Sequence, residues 1–362
     1  LKDRFLEISS ALFGCIGHGL ASGLLGVIEL LSSLFKILVG RKIPQYFHRL
    51  KCDKNASILM YHAIVDQELP VADWCFLPTA AFRRQLLYLK QNFDVIPLGK
   101  IPRWRWRGKP AAVLTFDDGF ENNYRVAFPI LRELGLPATI FLVTDLIGSE
   151  DTVWFCRVNE AIARTQRKSI QLNGRTYKLG SNADRRDAGA AIQAWLKRFP
   201  HEELLSGMRA IVQTLGEDPD KPIPAGSPFR MLAPAQIREM ANSGLIEFGA
   251  HTASHAILRL LPEAARTHEI ENSIRAVQRL ADRPCRLFSY PNGRAGDFDA
   301  FDTAVLKAAG IQVAVSTIEG PNPAGSDHLS LHRYGIGADN SFTTFRMRVH
   351  HMDYHLLKCL GR

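Results

Sequence analysis

The chain has 362 residues, 46% hydrophobic and 22% charged, which excludes a disordered protein and suffices for one large α/β domain with an insertion, or for two domains. Its formal net charge of +9 is spread along the sequence. With no nucleic-acid motif beside it, an anionic membrane surface or a phosphorylated substrate accounts for the sign, and nucleic acid is not an expected partner. The six cysteines, at 15, 52, 75, 156, 285 and 359, show no paired spacing and read as reduced thiols of a cytoplasmic protein.

From Ile8 to Ile28 no residue is charged with His neutral. Phe13, Ile16, Leu20, Leu24, Val27, Leu31, Leu34 and Leu38 recur at steps of three and four, the stripe of an amphipathic helix lying in a membrane interface. A membrane span and a helix packed on the domain are the alternatives; Asp3 and Glu7 speak against a signal peptide. Arg41, Lys42, Arg49 and Lys51 follow, so a span would leave the rest of the chain in the cytoplasm, at the inner membrane. The alternative is an anchor with the domain facing outside. Residues 1–55 are therefore expected to be a membrane-associating segment and linker, 56–345 a catalytic domain, and 346–362 a tail.

The domain opens with Ile58–His62 as a strand, and a helix follows from Thr79 with Phe82, Leu86 and Leu89 on one face. The alternation Arg103-Trp104-Arg105-Trp106-Arg107 suits a lipid headgroup layer, with Trp104 and Trp106 as anchors, or a loop whose rings cover the core. It should lie at the sheet end away from any chemistry. Residues 111–119, Ala-Ala-Val-Leu-Thr-Phe-Asp-Asp-Gly, read as a buried strand ending at Asp117 and Asp118. A helix over 121–134 and a strand over 138–144 make a parallel strand, helix, strand unit.

Residues 148–234 break the pattern and read as an insertion, with a hairpin around Asn173-Gly174 and two charged helices broken at Pro200. A helix over 234–243 and a strand over 245–250 lead into His251-Thr252-Ala253-Ser254-His255, two imidazoles on one side of a single turn at metal-ligand spacing. Strands over 287–290 and 313–316 follow, the first ending in the tight turn Pro291-Asn292-Gly293, and Leu329–Arg333 reads as the last strand. His350, His351 and His355 in the tail could hold a metal but read better as a surface helix.

Taken together, Thr115-Phe116-Asp117-Asp118-Gly119, the His251/His255 pair and Phe288-Ser289-Tyr290-Pro291-Asn292-Gly293, all at strand ends and in this order, resemble the polysaccharide deacetylases, the NodB-like carbohydrate esterase family 4. The resemblance implies an irregular (β/α) barrel of about seven parallel strands, with its site at the C-terminal strand ends and a mainly helical insertion. It implies that Asp118, His251 and His255 hold a divalent metal, zinc, that Asp117 is the general base, and that the turn Tyr290-Pro291-Asn292-Gly293 meets the substrate and its oxyanion. A metal so held polarises an amide and lowers the pKa of bound water, and it keeps the neighbouring carboxylate ionised. His332 takes the general acid's position, although Arg333 follows it where many relatives have Asp. Ser289 stands where many carry an arginine that orients the base, a place left open between Arg286 and Arg333. His62 lines the pocket or packs at its rim.

The expected activity is metal-dependent N-deacetylation of an N-acetylated sugar, whether polysaccharide, glycolipid or lipid-linked sugar, to acetate and a free amine. The alternatives are a hydrolase of a small non-sugar amide or imide, and a catalytically impaired carbohydrate-binding relative.

Overall fold

The computed structural model describes residues 55–67, 69–105, 108–323 and 325–354. The apolar stretch 8–40, Trp106 and His355 lie outside the described residues. Among those described, no helix is long and apolar enough to cross a membrane.

Strands form at Ser57–Tyr61 (β1), Ala63–Val65 (β2), Phe76–Pro78 (β3), Asp94–Val95 (β4), Ala111–Phe116 (β5), Ala138–Leu142 (β6), Ser169–Leu172 (β7), Arg175–Lys178 (β8), Ile246–Ala250 (β9), Leu287–Ser289 (β10), Val313–Val315 (β11) and Tyr334–Gly335 (β12). β1, β5 and β6 are buried along their whole length. Runs this apolar cannot leave a face in water, and strands of this kind pair in parallel where both faces of the sheet are covered. The main sheet runs β11-β10-β9-β6-β5-β1-β12, with β4 paired to β5 beside that path. Its ladders are parallel, including β1 with β5, β6 with β9 and β10 with β11. This is the expected irregular (β/α) barrel of about seven strands. Between β11 and the approach to β12, one bridge, Val315 to Leu331, links the two ends among the described residues.

Several expectations meet the structure with a shift. The helix over 121–134 begins as a π turn at Asn123–Ala127 and becomes regular only at Phe128–Leu134. Pro129 has no N–H for the carbonyl four residues back, so the regular ladder cannot extend through it. The last strand is Tyr334–Gly335 rather than Leu329–Arg333. The reason lies at His332, whose N–H donates to Asn322 Oδ1 at 2.7 Å and whose carbonyl accepts from Asn322 Nδ2 at 2.9 Å, so a side chain occupies the groups that a ladder would use. The tail helix, Phe342–Val349, is not a surface helix, since Phe345, Met347 and Val349 are buried. His350 and His351 beyond it are buried too. His351 bonds Ser57 Oγ at 3.1 Å and the Tyr334 hydroxyl at 2.9 Å, and His350 bonds the Tyr88 hydroxyl at 2.8 Å. Both imidazoles are committed to the core.

The insertion keeps its expected hairpin, β7 with β8, and its helices Asn182–Leu196 and His201–Thr214. It adds a helix at Trp154–Arg164, beyond those expected from the sequence. Trp154, Cys156, Ile162, Ile192, Leu204 and Val212 share one buried cluster with Phe76 and Phe120. The insertion is thus a wall with a core of its own, continuous with residues that follow the barrel strands.

One close approach measures how tightly the sheet is built. A Cβ on Gly249, in β9, would sit 2.5 Å from two ring atoms of Phe141 and 2.8 Å from the Leu287 carbonyl oxygen. Backbone on one side and a buried ring on the other leave no room to yield. Gly249→Ala should therefore cost roughly 2 kcal/mol or more in urea unfolding. An unchanged midpoint would mean that the strands are not packed this closely.

Candidate active site

The sheet register decides which residues meet at its C-terminal edge. Tyr61 of β1 lies beside Phe116 of β5, so the next residues, His62 and Asp117, leave the sheet together. The Asp117 N–H donates to the Tyr61 carbonyl at 2.9 Å. Leu142 of β6 lies beside Ala250 of β9, and the His251 N–H continues that ladder to the Leu142 carbonyl at 3.0 Å. Phe288 of β10 lies beside Ala250, which brings Ser289 next to His251.

Asp117 is buried and pairs with Arg333 through both oxygens, Oδ1 with Nη1 at 2.8 Å and Oδ2 with Nη2 at 2.7 Å. Arg333 is fully buried; it also donates to Thr115 Oγ1 at 3.1 Å, Ser289 Oγ at 2.9 Å and the Ser316 carbonyl at 2.8 Å. Burial alone would raise the Asp117 pKa, but the guanidinium outweighs it and holds the carboxyl well below the usual carboxylate range. Arg333 therefore fills the place that Ser289 leaves open, and the Ser289 hydroxyl bridges the pair, donating to Asp117 Oδ2 at 3.3 Å. Arg286, the other candidate, lines a groove at the strand-start end with Arg103, Gln312 and His328.

Asp118 has a left-handed backbone, φ 74°, and its carboxylate goes a different way from that of Asp117. Both of its oxygens are buried without a hydrogen-bond partner. Oδ1 lies 3.6 Å from His251 Nε2 and 3.4 Å from His255 Nε2. His251 donates its Nδ1 proton to the Ser289 carbonyl at 2.7 Å, which leaves the Nε2 lone pair facing Asp118. Burial and the Asp117 charge push Asp118 well up, whereas burial and the neighbouring His251 push His255 well down. An unpartnered carboxylate facing two imidazole acceptors, with ligand atoms within 4.8 Å of one another, fits a divalent cation. The expected single turn from His251 to His255 is instead a loop. Left-handed Thr252 and His255, φ 59° and 67°, bring the rings to 5.0 Å, and Glu269 ties the loop down by accepting the N–H groups of Ala253 and Ser254 at 2.9 and 3.0 Å.

After β10 the chain turns through Pro291, Asn292 and Gly293. Tyr290 supports this turn from below, its ring stacked on Phe298 at 3.9 Å and its hydroxyl donating to the Leu329 carbonyl at 2.8 Å. Asn292 is left-handed, φ 59°, and a Cβ on Gly293, φ 56°, would meet the Tyr290 carbonyl oxygen at 2.8 Å. Among the described residues the Asn292 N–H has no hydrogen-bond acceptor, and a donor on a fixed turn is the kind of group that can receive an anionic oxygen. Its side chain accepts from Lys197 Nζ at 2.9 Å. That lysine comes from the insertion, where the sequence showed no chemistry.

His332 and His62 exchange the expected prominence. Leu331 and Arg333 are buried, whereas His332 Nδ1 lies beside Gly320, 3.2 Å from where a Cβ there would stand, and burial alone lowers its pKa. His62, which the sequence left between pocket and rim, is within electrostatic reach of Asp117, Arg333, His251 and Lys197. Burial pushes it down to about 4 against the pull of Asp117, and its Nδ1 is buried without a partner. The alternation of Leu331 and Arg333 was a period-two signal for the buried arginine.

Comparison with known proteins adds a family to this geometry. A family model described as polysaccharide deacetylase matches residues 106–314. The poly-beta-1,6-N-acetyl-D-glucosamine N-deacetylase of Staphylococcus epidermidis is 27% identical over 117 residues, 28% of this chain and 40% of that protein. Its namesake in Escherichia coli K12 is 34% identical over 87 residues, 22% of this chain and 12% of that protein. The chain thus spans less than half the length of these curated relatives. Among solved structures, the Streptococcus pyogenes deacetylase PplD in complex with acetate superposes with a TM-score of 0.54 at 19% identity, over 82% of this chain and 98% of that one. At that identity the likeness is one of fold.

The buried pair gives a signed prediction. Arg333→Met leaves Asp117 buried without a counter-charge and should destabilise the protein by roughly 3–5 kcal/mol at pH 7. Because the folded Asp117 pKa is depressed, the pair's contribution is present above the ordinary carboxylate range and is lost as pH falls. The gap in melting temperature between wild type and variant should therefore narrow below about pH 4. A gap that stays constant across pH would contradict the pairing.

Proposed function

The chain belongs to the polysaccharide deacetylase family, and on that premise we propose that it hydrolyses the acetamido group of an N-acetylated sugar chain, in a metal-dependent reaction, to a free amine and acetate. The observation that carries the reading is the division of labour between two adjacent carboxylates, Asp117 tied to Arg333 and Asp118 facing two imidazole nitrogens. Neighbouring groups whose environments push their pKa values apart take different roles in catalysis.

In this reading Asp118, His251 and His255 would hold a divalent metal, zinc. Such an ion would supply a polarised amide oxygen and water acidic enough to attack at neutral pH. Asp117, kept ionised by Arg333, takes the proton of the attacking water, and the bidentate pair fixes the plane from which it does so. The Asn292 N–H receives the oxyanion as the carbonyl carbon becomes tetrahedral. His62, neutral at the start, receives from Asp117 the proton taken from water and passes it to the leaving nitrogen as the carbon–nitrogen bond breaks, which returns Asp117 to its ionised form. His332, beside Gly320 and perturbed by burial alone, is not assigned that step. The sugar reading is supported by the family and by the substrates that the two relatives' names carry.

The test is acetate release by the zinc-loaded chain from N-acetylglucosamine oligomers and lipid-linked N-acetyl sugars. Asp117→Asn should lower kcat by about 10²–10⁴-fold, the usual worth of a general base. His62→Asn should also lower kcat, whereas His332→Asn should stay within about twofold of wild type, as expected of a group outside the chemistry. Release from small non-sugar amides alone would replace the substrate assignment. Equal losses at His62 and His332 would reopen that of the proton donor.

A further inference from the structure

We propose that Lys197, carried by the insertion, is a positioning residue of the active site: it holds the Asn292 side chain and so aims the Asn292 N–H at the oxyanion. The inference rests on the deacetylase reading above and adds to it a part for the insertion.

The helix Asn182–Leu196 is built to deliver this lysine. Ser181 and Asp184 form a reciprocal cap at its start, each side chain accepting the other's N–H at 3.1 Å. Ile192 and Leu196 anchor it in the insertion's core. Gly189, Gln193 and Lys197 follow four apart, on one stripe of the helix. At Gly189 the missing side chain allows close approach, since a Cβ would lie 3.3 Å from Ile162 Cδ1 and 3.5 Å from Asn159 Oδ1. One turn later Gln193 Nε2 donates to Asn159 Oδ1 at 2.9 Å, and Asn159 donates in turn to Asp73. Another turn places Lys197 Nζ on Asn292 Oδ1 at 2.9 Å.

A structural lysine would be expected in water or against a carboxylate. This one is half-buried, its pKa lowered by that burial, and among the described residues no carboxylate lies within 4.0 Å of its ammonium. Its side-chain bond goes to a neutral amide oxygen, and its charge is felt at Asp118, His255 and His62. Placing an ammonium there is costly unless the contact is used.

Asn292 is the residue that needs holding. Its backbone is left-handed, φ 59°. Its Nδ2 donates to Asp297 Oδ2 at 2.6 Å, and its carbonyl accepts from Thr317 Oγ1 at 2.6 Å. With Lys197 on Oδ1, side chain and carbonyl are both fixed, and the N–H is the backbone group of the residue left for a ligand. Donors fixed before the reaction stabilise a developing charge without reorganising.

The experiment uses the zinc-loaded full chain, with turnover and the binding of acetate, the reaction's product, as separate readouts. Lys197→Met should lower kcat about 10–100-fold with KM within about twofold, the effect of losing a charged hydrogen bond that orients a donor. Acetate, titrated calorimetrically, should bind about tenfold more weakly to the variant for the same reason. Zinc stoichiometry and melting temperature should match wild type. Asn292→Gly keeps the left-handed backbone and removes the side chain, so adding Lys197→Met to it should cost less than about twofold more. Lys197→Arg, which keeps a donor, should recover part of the lost kcat.

A raised KM with unchanged kcat would make Lys197 a substrate contact and overturn the proposal. Wild-type behaviour of Lys197→Met, or full additivity with Asn292→Gly, would overturn it too, as would loss of zinc or of cooperative melting. Should the wild type release no acetate from any sugar, the deacetylase reading fails by itself. Acetate titration still decides the lysine's role, weaker binding to the variant sustaining it and equal binding ending it.

Discussion

The pair between Arg333 and Asp117 is the interaction on which the rest of the site depends. A guanidinium has five donors and cannot shed its charge, so it can be buried fully only where acceptors surround it. Here they are the Asp117 carboxylate, Thr115 Oγ1, Ser289 Oγ and the Ser316 carbonyl. Those partners come from the ends of β5, β10 and β11, so one side chain from the approach to β12 ties together three strands that are distant in sequence. The pair also settles which of two adjacent carboxylates is ionised by protein charge alone. Asp117 has its counter-ion built in; Asp118 has two neutral imidazoles and no donor, an arrangement that suits a metal ligand.

Around that pair the backbone departs from regular conformations where chemistry is required. Asp118, Thr252, His255 and Asn292 are left-handed residues other than glycine. Each such placement is tolerated only when its surroundings over-determine it, and such residues gather at functional sites. The determinants here are ordinary: strand register fixes Asp117 and His251, Glu269 clamps the loop between the histidines, and Thr317, Asp297 and Lys197 clamp Asn292. The barrel supplies rigidity at the strand ends, and the insertion adds a wall whose polar stripe reaches the same point.

Much of this was legible in the sequence because it rests on local patterns. The apolar runs over 58–62, 111–119 and 138–144 read as strands and formed β1, β5 and β6, and the order of the Asp-Asp-Gly, His-x-x-x-His and Tyr-Pro-Asn-Gly segments matches the loops that meet. What was not legible depends on direction and distance. His332 and Arg333 are neighbours, and only the alternation of side chains on an irregular approach decides that the arginine goes inward. His62 could be placed once β1 and β5 were in register, which no single strand reveals. Lys197 is 95 residues from Asn292, and nothing near either residue announces the contact. The closing strand moved because one asparagine took the hydrogen bonds of His332, a competition between side chain and backbone that periodicity does not register.

Everything assigned to the site turns on Asp118, His251 and His255 together holding a metal beside an ionised base. Zinc K-edge X-ray absorption on the metal-loaded protein tests it most directly, because zinc–nitrogen and zinc–sulfur distances differ, at about 2.0–2.1 and 2.3 Å. One zinc per chain is expected, with nitrogen and oxygen neighbours only, two of them imidazoles, and that spectrum should be lost in His255→Ala. A sulfur shell would contradict it, since Cys75 and Cys156 are buried within electrostatic reach of Asp118. Failure of the protein to retain zinc at equimolar concentration would contradict it equally.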